Sequence, residues 1–205
     1  MTINFERSAL IEIDVQNDFC PGGALAVADG DKVVAPLNEA ASRFAAARAP
    51  VVATQDWHPA GHCSFASAEA AGKWRAEGEV LWPDHCVQGT AGADFHPALD
   101  LRPVTLVVRK GFRPHVDSYS AFFENDRKTP TGLAAYLREL GVDTVYLGGL
   151  ATDYCVYFSA LDAVKLRFNT YLLSGAVRGV NYPEGSTEKA LLSMKNSGVL
   201  LVNDR

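Results

Sequence analysis

Short apolar runs alternate along most of this chain with stretches whose apolar residues recur at helical spacing. This alternation limits the possible folds, because strands separated by helices are usually joined in parallel and carry helices on both faces of the sheet. We therefore predict an α/β fold, a three-layer α/β/α sandwich around a mainly parallel sheet of roughly six strands. The predicted strands lie at 9–15, 51–54, 105–108, 144–150, 170–173 and 199–202, and the predicted helices at 33–44, 132–140, 153–166 and 184–196.

The length of 205 residues favours a single domain over 1–205, since one α/β domain commonly reaches this size. Only 57–103 breaks the alternation, with weak periodicity and four of the five histidines. Long irregular segments in compact domains are usually functional or disordered, and this one is too rich in aromatic residues to be disordered. We predict that 57–103 is an insertion that carries a metal and substrate site.

The charge pattern excludes some classes of function. The formal net charge is −5 and no basic block is present, so the electrostatic footprint of nucleic-acid binding is missing. No apolar run approaches the roughly 20 residues that cross a bilayer. The N-terminus does not look like a signal peptide, and the four cysteines form no CxxC pair. We expect a cytoplasmic protein with reduced thiols that binds neither nucleic acid nor membrane.

Three reactive side chains follow predicted strands. Asp14 closes the first strand, Lys110 follows the third, and Cys155 follows the fourth at the first turn of a helix. Ligands of open α/β sheets bind beyond the carboxyl ends of the strands, so these residues are expected to meet. The positive end of a helix favours a thiolate, and a nearby carboxylate can accept the thiol proton. We predict that Asp14 serves Cys155 in this way and that Lys110 holds Asp14.

Each of these residues also has an ordinary structural interpretation. A cysteine at a helix start is commonly a small buried apolar residue, an aspartate at a strand end commonly forms a turn, and a lysine there is commonly solvated. The joint placement of Asp14, Lys110 and Cys155 at one edge of the sheet favours chemistry, but it does not name a substrate.

Asp56 and His58 come two residues apart at a strand end, and His85 follows further along. One carboxylate and two imidazoles can bind a divalent ion such as zinc, iron or manganese, and the spacing of two lets Asp56 and His58 point the same way. His62 is a further candidate ligand. The alternative, loop histidines bonded to backbone carbonyls, stays open from spacing alone.

At this point the sequence resembles a known family, the isochorismatase-like cysteine hydrolases. Seven segments spread over nearly the whole chain carry the resemblance, and the DWH and WPDHC pieces are typical of its nicotinamidase branch. The segments are IDVQNDFCPGGALAV (13–27), QDWHPAGHCSFAS (55–67), WPDHCVQGT (82–90), RKG (109–111), VDSYSAFF (116–123), GLATDYCV (149–156) and GAVRGV (175–180).

The resemblance implies a Rossmann-like topology and an enzyme that hydrolyses nicotinamide to nicotinate and ammonia through a cysteine thioester, in NAD salvage. It implies pyrazinamide as a second substrate. Cys155 is then the nucleophile, Asp14 the general base and acid, and Lys110 the third member of a triad. One divalent ion, zinc first and iron or manganese as alternatives, is bound by Asp56 and by two histidines, His58 and His85.

Some relatives carry a further metal ligand six residues after the first histidine, where this chain has Ser64. A serine hydroxyl is a poor direct ligand, so Ser64 is expected to reach the ion through water. The resemblance also implies a cis peptide bond between Leu150 and Ala151, and an oxyanion hole formed by the N–H groups of Ala151 and Cys155. The substrate ring is expected to contact five residues, Phe19, Trp82, Tyr119, Leu150 and Tyr154. A homo-oligomer is a further expectation.

Three alternatives differ from this hypothesis. The chain could be another amidohydrolase of the family that acts on a carbamoyl compound or on isochorismate, but such relatives generally lack the metal set. It could be a non-catalytic member, although Asp14 and Cys155 are both retained. It could also be a redox-sensing thiol protein that uses Cys155.

Overall fold

The computed structural model describes residues 3–68 and 80–202, and these form one sheet with helices on both of its faces. The strands are β1 (Ser8–Ile13), β2 (Val51–Asp56), β3 (Val104–Lys110), β4 (Thr144–Leu150), β5 (Asn169–Arg178) and β6 (Leu200–Val202). The helices are α1 (Val34–Ala46), α2 (Leu133–Glu139), α3 (Cys155–Lys165) and α4 (Ser186–Asn196). The predicted α/β class and the three layers are confirmed.

The six strands are all parallel and lie in the order β3-β2-β1-β4-β5-β6. From β1 the chain adds β2 and then β3 on one side, and it then crosses back to add β4, β5 and β6 on the other side. The strand order therefore reverses between β1 and β4, where the loops that leave the two strands diverge and open a crevice. Asp14 follows β1 at this point, and Leu150 ends β4 beside it.

Apolar side chains cover both faces of the sheet. One cluster joins α1 to the sheet through Leu37 and Phe44, and a second joins α2 and α3 to the opposite face through Leu137 and Val156. β1 and β4 are buried over nearly their whole length, as expected of central strands in a parallel sheet. The crevice between them is thus set in a rigid frame. Within the described ranges, no helix is both long and apolar enough to cross a bilayer.

Helix α3 begins at Cys155 with Tyr154 as its N-cap, two residues after the predicted start at 153. Asp153 lies next to the N-cap but does not cap the helix. The Asp153 carboxylate instead accepts the N–H groups of Val180 and Asn181, at 2.9 and 2.8 Å. The hydrogen bonds of this carboxylate therefore come from a loop that is distant in sequence. Capping patterns, which depend on neighbouring residues, do not reveal such a contact.

The irregular stretch 57–103 is tied together by short bridges rather than by long elements. His58 pairs with Val87 and Phe65 with Trp82 as isolated bridges. Part of the predicted insertion, 69–79, lies outside the described residues. The bridges hold the histidine-bearing segments against the carboxyl end of β2.

Glu12 is a buried carboxyl group in the middle of β1. It is 1% exposed, and neither carboxylate oxygen has a hydrogen-bond partner among the described residues. Burial raises the pKa of Glu12 from 4.5 to about 8, and the negative charge of Asp100 adds to this rise. At neutral pH the folded protein therefore keeps Glu12 protonated.

This burial predicts that stability falls as the pH rises from about 4.5 to about 8. In this range the folded protein holds a proton that the unfolded chain releases, so Glu12 lowers the unfolding free energy by up to about 1.4 kcal/mol per pH unit. Glu12→Gln should remove the Glu12 contribution to this slope in urea unfolding measured across the range. The exposed Glu6→Gln is the control and should leave the slope in place, while an unchanged slope in Glu12→Gln would contradict the prediction.

Candidate active site

Asp14 is aimed into the crevice by the backbone that leaves β1. Its φ is +49°, a left-handed conformation that aspartate adopts more readily than most residues and that is often found at functional sites. Thr54 on β2 fixes the side chain, since its hydroxyl donates to Asp14 Oδ1 at 2.6 Å and accepts the Asp14 N–H at 3.2 Å. Asp14 is fully buried.

The Lys110 ammonium lies at the centre of the site and is fully buried. Its Nζ lies 2.5 Å from Asp56 Oδ1 and 2.8 Å from Asp14 Oδ2, and it donates to the Ser118 carbonyl at 2.8 Å. It also lies 3.4 Å from Cys155 Sγ. The carboxylates raise the pKa of Lys110 against the opposing effect of burial, so it stays charged.

The Asp14 carboxylate can accept a proton from a group other than Lys110. Asp14 Oδ2 has no directed hydrogen bond from any described residue, although the ammonium is within ion-pair distance. The Asp14 carboxylate and Cys155 Sγ offer atoms within 4.8 Å of one another. The Asp14 carboxylate is therefore close enough to receive a proton from the thiol.

Cys155 is the first residue of α3 and is buried beside Lys110. Burial raises the pKa of its thiol well above 9.0, with the negative charges of Asp14 and Asp56 adding to the rise and Lys110 opposing it. The predicted preference of the helix start for a thiolate is thus outweighed by burial. The resting sulfur is a thiol, and attack on a substrate requires a base.

Burial also raises the pKa of Asp14, to about 6, although Lys110 pulls it down. Burial acts on Asp56 in the same sense, but Lys110 and His58 overcome it and hold the Asp56 pKa below 3.8. The two carboxylates that share one ammonium therefore differ in proton affinity. Asp14 is the better proton acceptor of the two, and Asp56 stays ionised.

Two N–H groups face the crevice next to Cys155. The Leu150–Ala151 peptide bond is cis, as the resemblance implies. Among the described residues, the N–H groups of Ala151 and Cys155 have no hydrogen-bond acceptor. Both are available to a substrate oxygen, the arrangement that an oxyanion hole requires.

Asp56, His58 and His85 offer donor atoms within 4.8 Å of one another, and all three side chains are buried. His58 Nδ1 donates to the Gly111 carbonyl and His85 Nδ1 to the Pro83 carbonyl, each at 2.8 Å, so both Nε2 atoms are free as ligands. His58 Nε2 lies 3.7 Å from Asp56 Oδ2. Two ligands of one zinc ion, each at about 2.1 Å, lie at most about 4.2 Å apart, and the distance between His58 Nε2 and Asp56 Oδ2 is within that limit.

The two histidines of this set differ in proton affinity. Burial lowers the pKa of His85 to about 4, and the nearby His58 adds to this effect. Burial also opposes the charge on His58, but its hydrogen bond to Asp56 and the charge of Asp56 raise its pKa above 6.5. His85 is neutral at physiological pH and ready to act as a ligand.

His62 and Ser64 bond to each other next to this set. Nε2 of His62 donates to the Arg113 carbonyl at 3.0 Å, so Nδ1 accepts the Ser64 hydroxyl at 2.7 Å. Both ring nitrogens of His62 are occupied, which argues against His62 as a ligand. The role of Ser64 through water stays a prediction.

An aromatic cavity of about 390 Å³ opens onto Cys155. Trp82 donates through Nε1 to the Tyr119 hydroxyl at 3.1 Å and packs edge-on against Tyr154. The lining residues are Phe19, Leu25, Asp56, Trp82, His85, Asp117, Tyr119, Ala151, Tyr154, Cys155 and Val180. Flat aromatic walls with few polar groups suit a small planar ring.

Four of the five predicted ring contacts, Phe19, Trp82, Tyr119 and Tyr154, line this cavity, but Leu150 does not. The Leu150 side chain is fully buried in the core on the α1 side of the sheet. Successive side chains of a strand point to opposite faces, and at Leu150 this direction is away from the crevice. Leu150 is therefore a core residue.

Sequence reasoning missed five residues of the site. Thr54 holds Asp14, the Ser118 carbonyl holds Lys110, and Leu25, Asp117 and Val180 line the cavity. Thr54 lies two residues before Asp56 on β2, so the strand period could have indicated a shared face. Asp117 and Ser118 lie within the quoted segment 116–123, but nothing in their spacing gives them a role.

Comparisons with known proteins show which family the chain resembles. The family model described as Isochorismatase domain matches residues 8–203. A nicotinamidase of Acinetobacter baylyi is 48% identical over 204 residues, which cover 96% of this chain and 92% of that protein.

Two solved structures are also similar. The PnC1 structure from L. infantum in complex with nicotinate is 36% identical, with a TM-score of 0.86 and coverage of 99% of this chain and 96% of that one. The pyrazinamidase of Pyrococcus horikoshii in complex with zinc is 41% identical, with a TM-score of 0.83 and coverage of 96% and 99%.

The close approach of Gly111 to His58 generates a prediction. A Cβ at Gly111 would lie 2.5 Å from His58 Cε1 and 2.7 Å from Nδ1, so Gly111→Ala should displace the imidazole from the metal set. Zinc affinity, measured by competition with a chromophoric chelator, should fall by about 10–100-fold.

Gly141→Ala is the matched control. Both glycines have positive φ, +63° at Gly111 and +71° at Gly141, but nothing lies within 4 Å of a Cβ at Gly141. Both variants should lose roughly 1–2 kcal/mol of stability from the left-handed backbone. Only Gly111→Ala should lose zinc affinity, and equal affinities in the two variants would refute the steric argument.

Proposed function

The chain belongs to the isochorismatase family, and from that premise we propose that it is a nicotinamidase, which hydrolyses nicotinamide to nicotinate and ammonia. The observation that carries this proposal is the convergence of Cys155, Asp14 and Lys110 on an aromatic cavity whose wall also holds the Asp56 and His85 side chains. The identity of 48% to a nicotinamidase supports the same substrate. The match over residues 8–203 supports a single domain.

The first half of the reaction forms a thioester on Cys155. Asp14 takes the thiol proton, and the sulfur attacks the carboxamide carbon of nicotinamide. The N–H groups of Ala151 and Cys155 bind the oxygen as it gains negative charge. The tetrahedral adduct collapses, the C–N bond breaks, and Asp14 returns its proton to the nitrogen, which leaves as ammonia.

The second half regenerates the enzyme. Asp14, again ionised, takes a proton from a water molecule that attacks the thioester carbon. The C–S bond breaks, nicotinate forms, and the sulfur recovers a proton from Asp14. Lys110 stays charged throughout and holds Asp14 and Asp56 in place, since its pKa is raised well above 10.5.

Asp56, His58 and His85 would hold the metal ion, and zinc is our proposal because a similar pyrazinamidase structure is in complex with zinc. When bound, a divalent ion at this wall supplies a Lewis acid that a pyridine nitrogen can coordinate, which orients the ring. Trp82, Tyr119 and Tyr154 line the cavity and supply flat aromatic surfaces against which the ring packs.

Pyrazinamide is the second substrate that we propose, since its ring has the shape of the nicotinamide ring and similar proteins are pyrazinamidases. A role in NAD salvage follows from the nicotinate product and belongs to the same proposal. The redox-sensor alternative fits the site less well. Sensor thiols are exposed and have a lowered pKa, whereas Cys155 is buried and its pKa is raised.

Cys155→Ala should lower the kcat for ammonia release from nicotinamide by about 10³-fold or more, because it removes the nucleophile. Cys20→Ala is the matched control, since Cys20 is a second buried free thiol and lies outside the aromatic cavity. Metal content should be the same in both variants and in the parent protein. Substantial turnover by metal-loaded Cys155→Ala would refute the thioester mechanism, and no ammonia release by the metal-loaded parent would refute the substrate.

A further inference from the structure

The buried charges of the site do not balance once a metal ion is counted. The Lys110 ammonium is shared by two carboxylates, Asp14 and Asp56, and all three side chains are almost entirely buried. These three groups together carry one negative charge. A divalent ion held by Asp56, His58 and His85 would turn this into one net positive charge inside the protein. Such an uncompensated buried charge is costly, and it would weaken the binding of the ion.

Asp117 carries a further negative charge into the same site. Its side chain is 7% exposed and lines the aromatic cavity together with Asp56 and His85. It offers a carboxylate oxygen within 4.8 Å of donor atoms of His58 and His62. The proposed mechanism assigns no role to the Asp117 carboxylate.

Among the described residues no lysine or arginine pairs with Asp117, and the imidazole within its reach, His58, would be a neutral ligand of the ion. No ion pair involves it there, and the nearby Arg113 is paired with Glu124. The neighbouring His62 donates from Nε2 to a backbone carbonyl and accepts at Nδ1 from Ser64, the pattern of a neutral ring. One Asp117 oxygen, Oδ1, accepts the Ser118 N–H at 2.8 Å. A nearly buried carboxylate whose neighbouring imidazole is a neutral metal ligand has the metal ion as its remaining cation.

We propose that Asp117 is the charge-balancing carboxylate of the metal site and acts from outside the three ligands. With Asp117 counted, three carboxylates balance one ammonium and one divalent ion, so the loaded site is neutral. Asp117 is not a fourth direct ligand, because it does not join Asp56, His58 and His85 in one set of donor atoms within 4.8 Å. Direct ligands of one zinc ion would be at most about 4.2 Å apart. This inference rests on the metal site of the proposed function.

Two other roles for Asp117 make different predictions. A purely structural role would act through the loop, where the Asp117 carbonyl accepts the Asn125 N–H and Oδ1 accepts the Ser118 N–H. Its loss would then lower the stability of the metal-free protein. If Asp117 contacts the substrate ring, its loss would raise KM and leave metal affinity unchanged. If Asp117 balances the charge of the metal site, its loss lowers metal affinity in the absence of any substrate.

The test is the dissociation constant for Zn²⁺, measured on the full chain by competition with a chromophoric chelator and without any amide present. Asp117→Asn keeps the shape and the Oδ1 acceptor but removes the charge. Zinc affinity should fall by about 10–100-fold, the usual cost of losing a group that supports metal ligands from outside. The thermal unfolding midpoint of the metal-free protein should stay close to that of the parent.

Asp126→Asn is the matched control, because it removes the same charge from an exposed position in the same loop, where the carboxylate accepts the Lys128 and Thr129 N–H groups. Its zinc affinity should equal that of the parent. If Asp117→Asn does not fold, Asp117→Ser takes its place, since a hydroxyl can still accept the Ser118 N–H.

Unchanged zinc affinity in the folded Asp117 variant would overturn the inference, whether or not KM rises. A loss of affinity matched by Asp126→Asn would also overturn it, because the effect would then come from net charge. So would a parent protein that binds no zinc. A specific loss of affinity in a protein that does not hydrolyse nicotinamide would support Asp117 and refute the proposed substrate instead.

Discussion

The site depends on one buried ammonium group. Lys110 has no contact with solvent, and a charge in that position is stable only where its partners are fixed around it. Those partners come from separate parts of the chain: Asp14 after β1, Asp56 at the end of β2, the Ser118 carbonyl in the following loop and Cys155 at the start of α3. Because all of them meet at Lys110, the nucleophile, its base and one metal ligand are held at fixed distances by a single charge. Removal of that charge would leave two buried carboxylates facing each other, so the geometry and the electrostatics of the site cannot be separated.

The fold brings these partners together through its strand order. Parallel strands place all their carboxyl ends at one edge, and the reversal between β1 and β4 opens a crevice there without breaking the sheet. β1 and β2 lie on one side of the reversal and carry the carboxylates, while β4 leads on the other side into the turn that presents Cys155. The aromatic cavity closes over this edge with side chains from loops, which are free to vary without disturbing the strands. The base and the nucleophile are thus carried by rigid elements, and most of the ring contacts by loops.

The sequence predicted the parts of this arrangement that depend on strand ends. Alternation of apolar runs was enough to place Asp14, Lys110 and Cys155 at one edge, and the spacing of Asp56 and His58 was enough to suggest a shared direction. Contacts between distant segments were not accessible in the same way. Asp153 looks like a helix cap from its neighbours alone, but the loop at 180–181 competes for its carboxylate. Leu150 was expected in the cavity from the family resemblance, whereas its side chain is buried in the core. Asp117 lies in a loop without periodicity, so its place beside the histidines became visible only with the fold.

The two carboxylates that share Lys110 divide the chemistry because their other neighbours differ. Asp56 faces His58 and His85 as well as the ammonium, and these groups stabilise its charged form enough to overcome burial. Among the described residues, Lys110 and Thr54 stabilise the charged form of Asp14 but the negative charge of Asp56 opposes them, so burial prevails and raises the Asp14 pKa to about 6. Pairs of acids whose environments drive their proton affinities apart are typical of sites where one acid transfers protons and the other stays charged. Here Asp56 can remain a permanent anion for a metal ion, while Asp14 can gain and lose a proton near neutral pH. The thiol of Cys155, which burial keeps protonated, needs such a partner, and the low proton affinity of Asp56 leaves Asp14 as the only one of the two that can serve it.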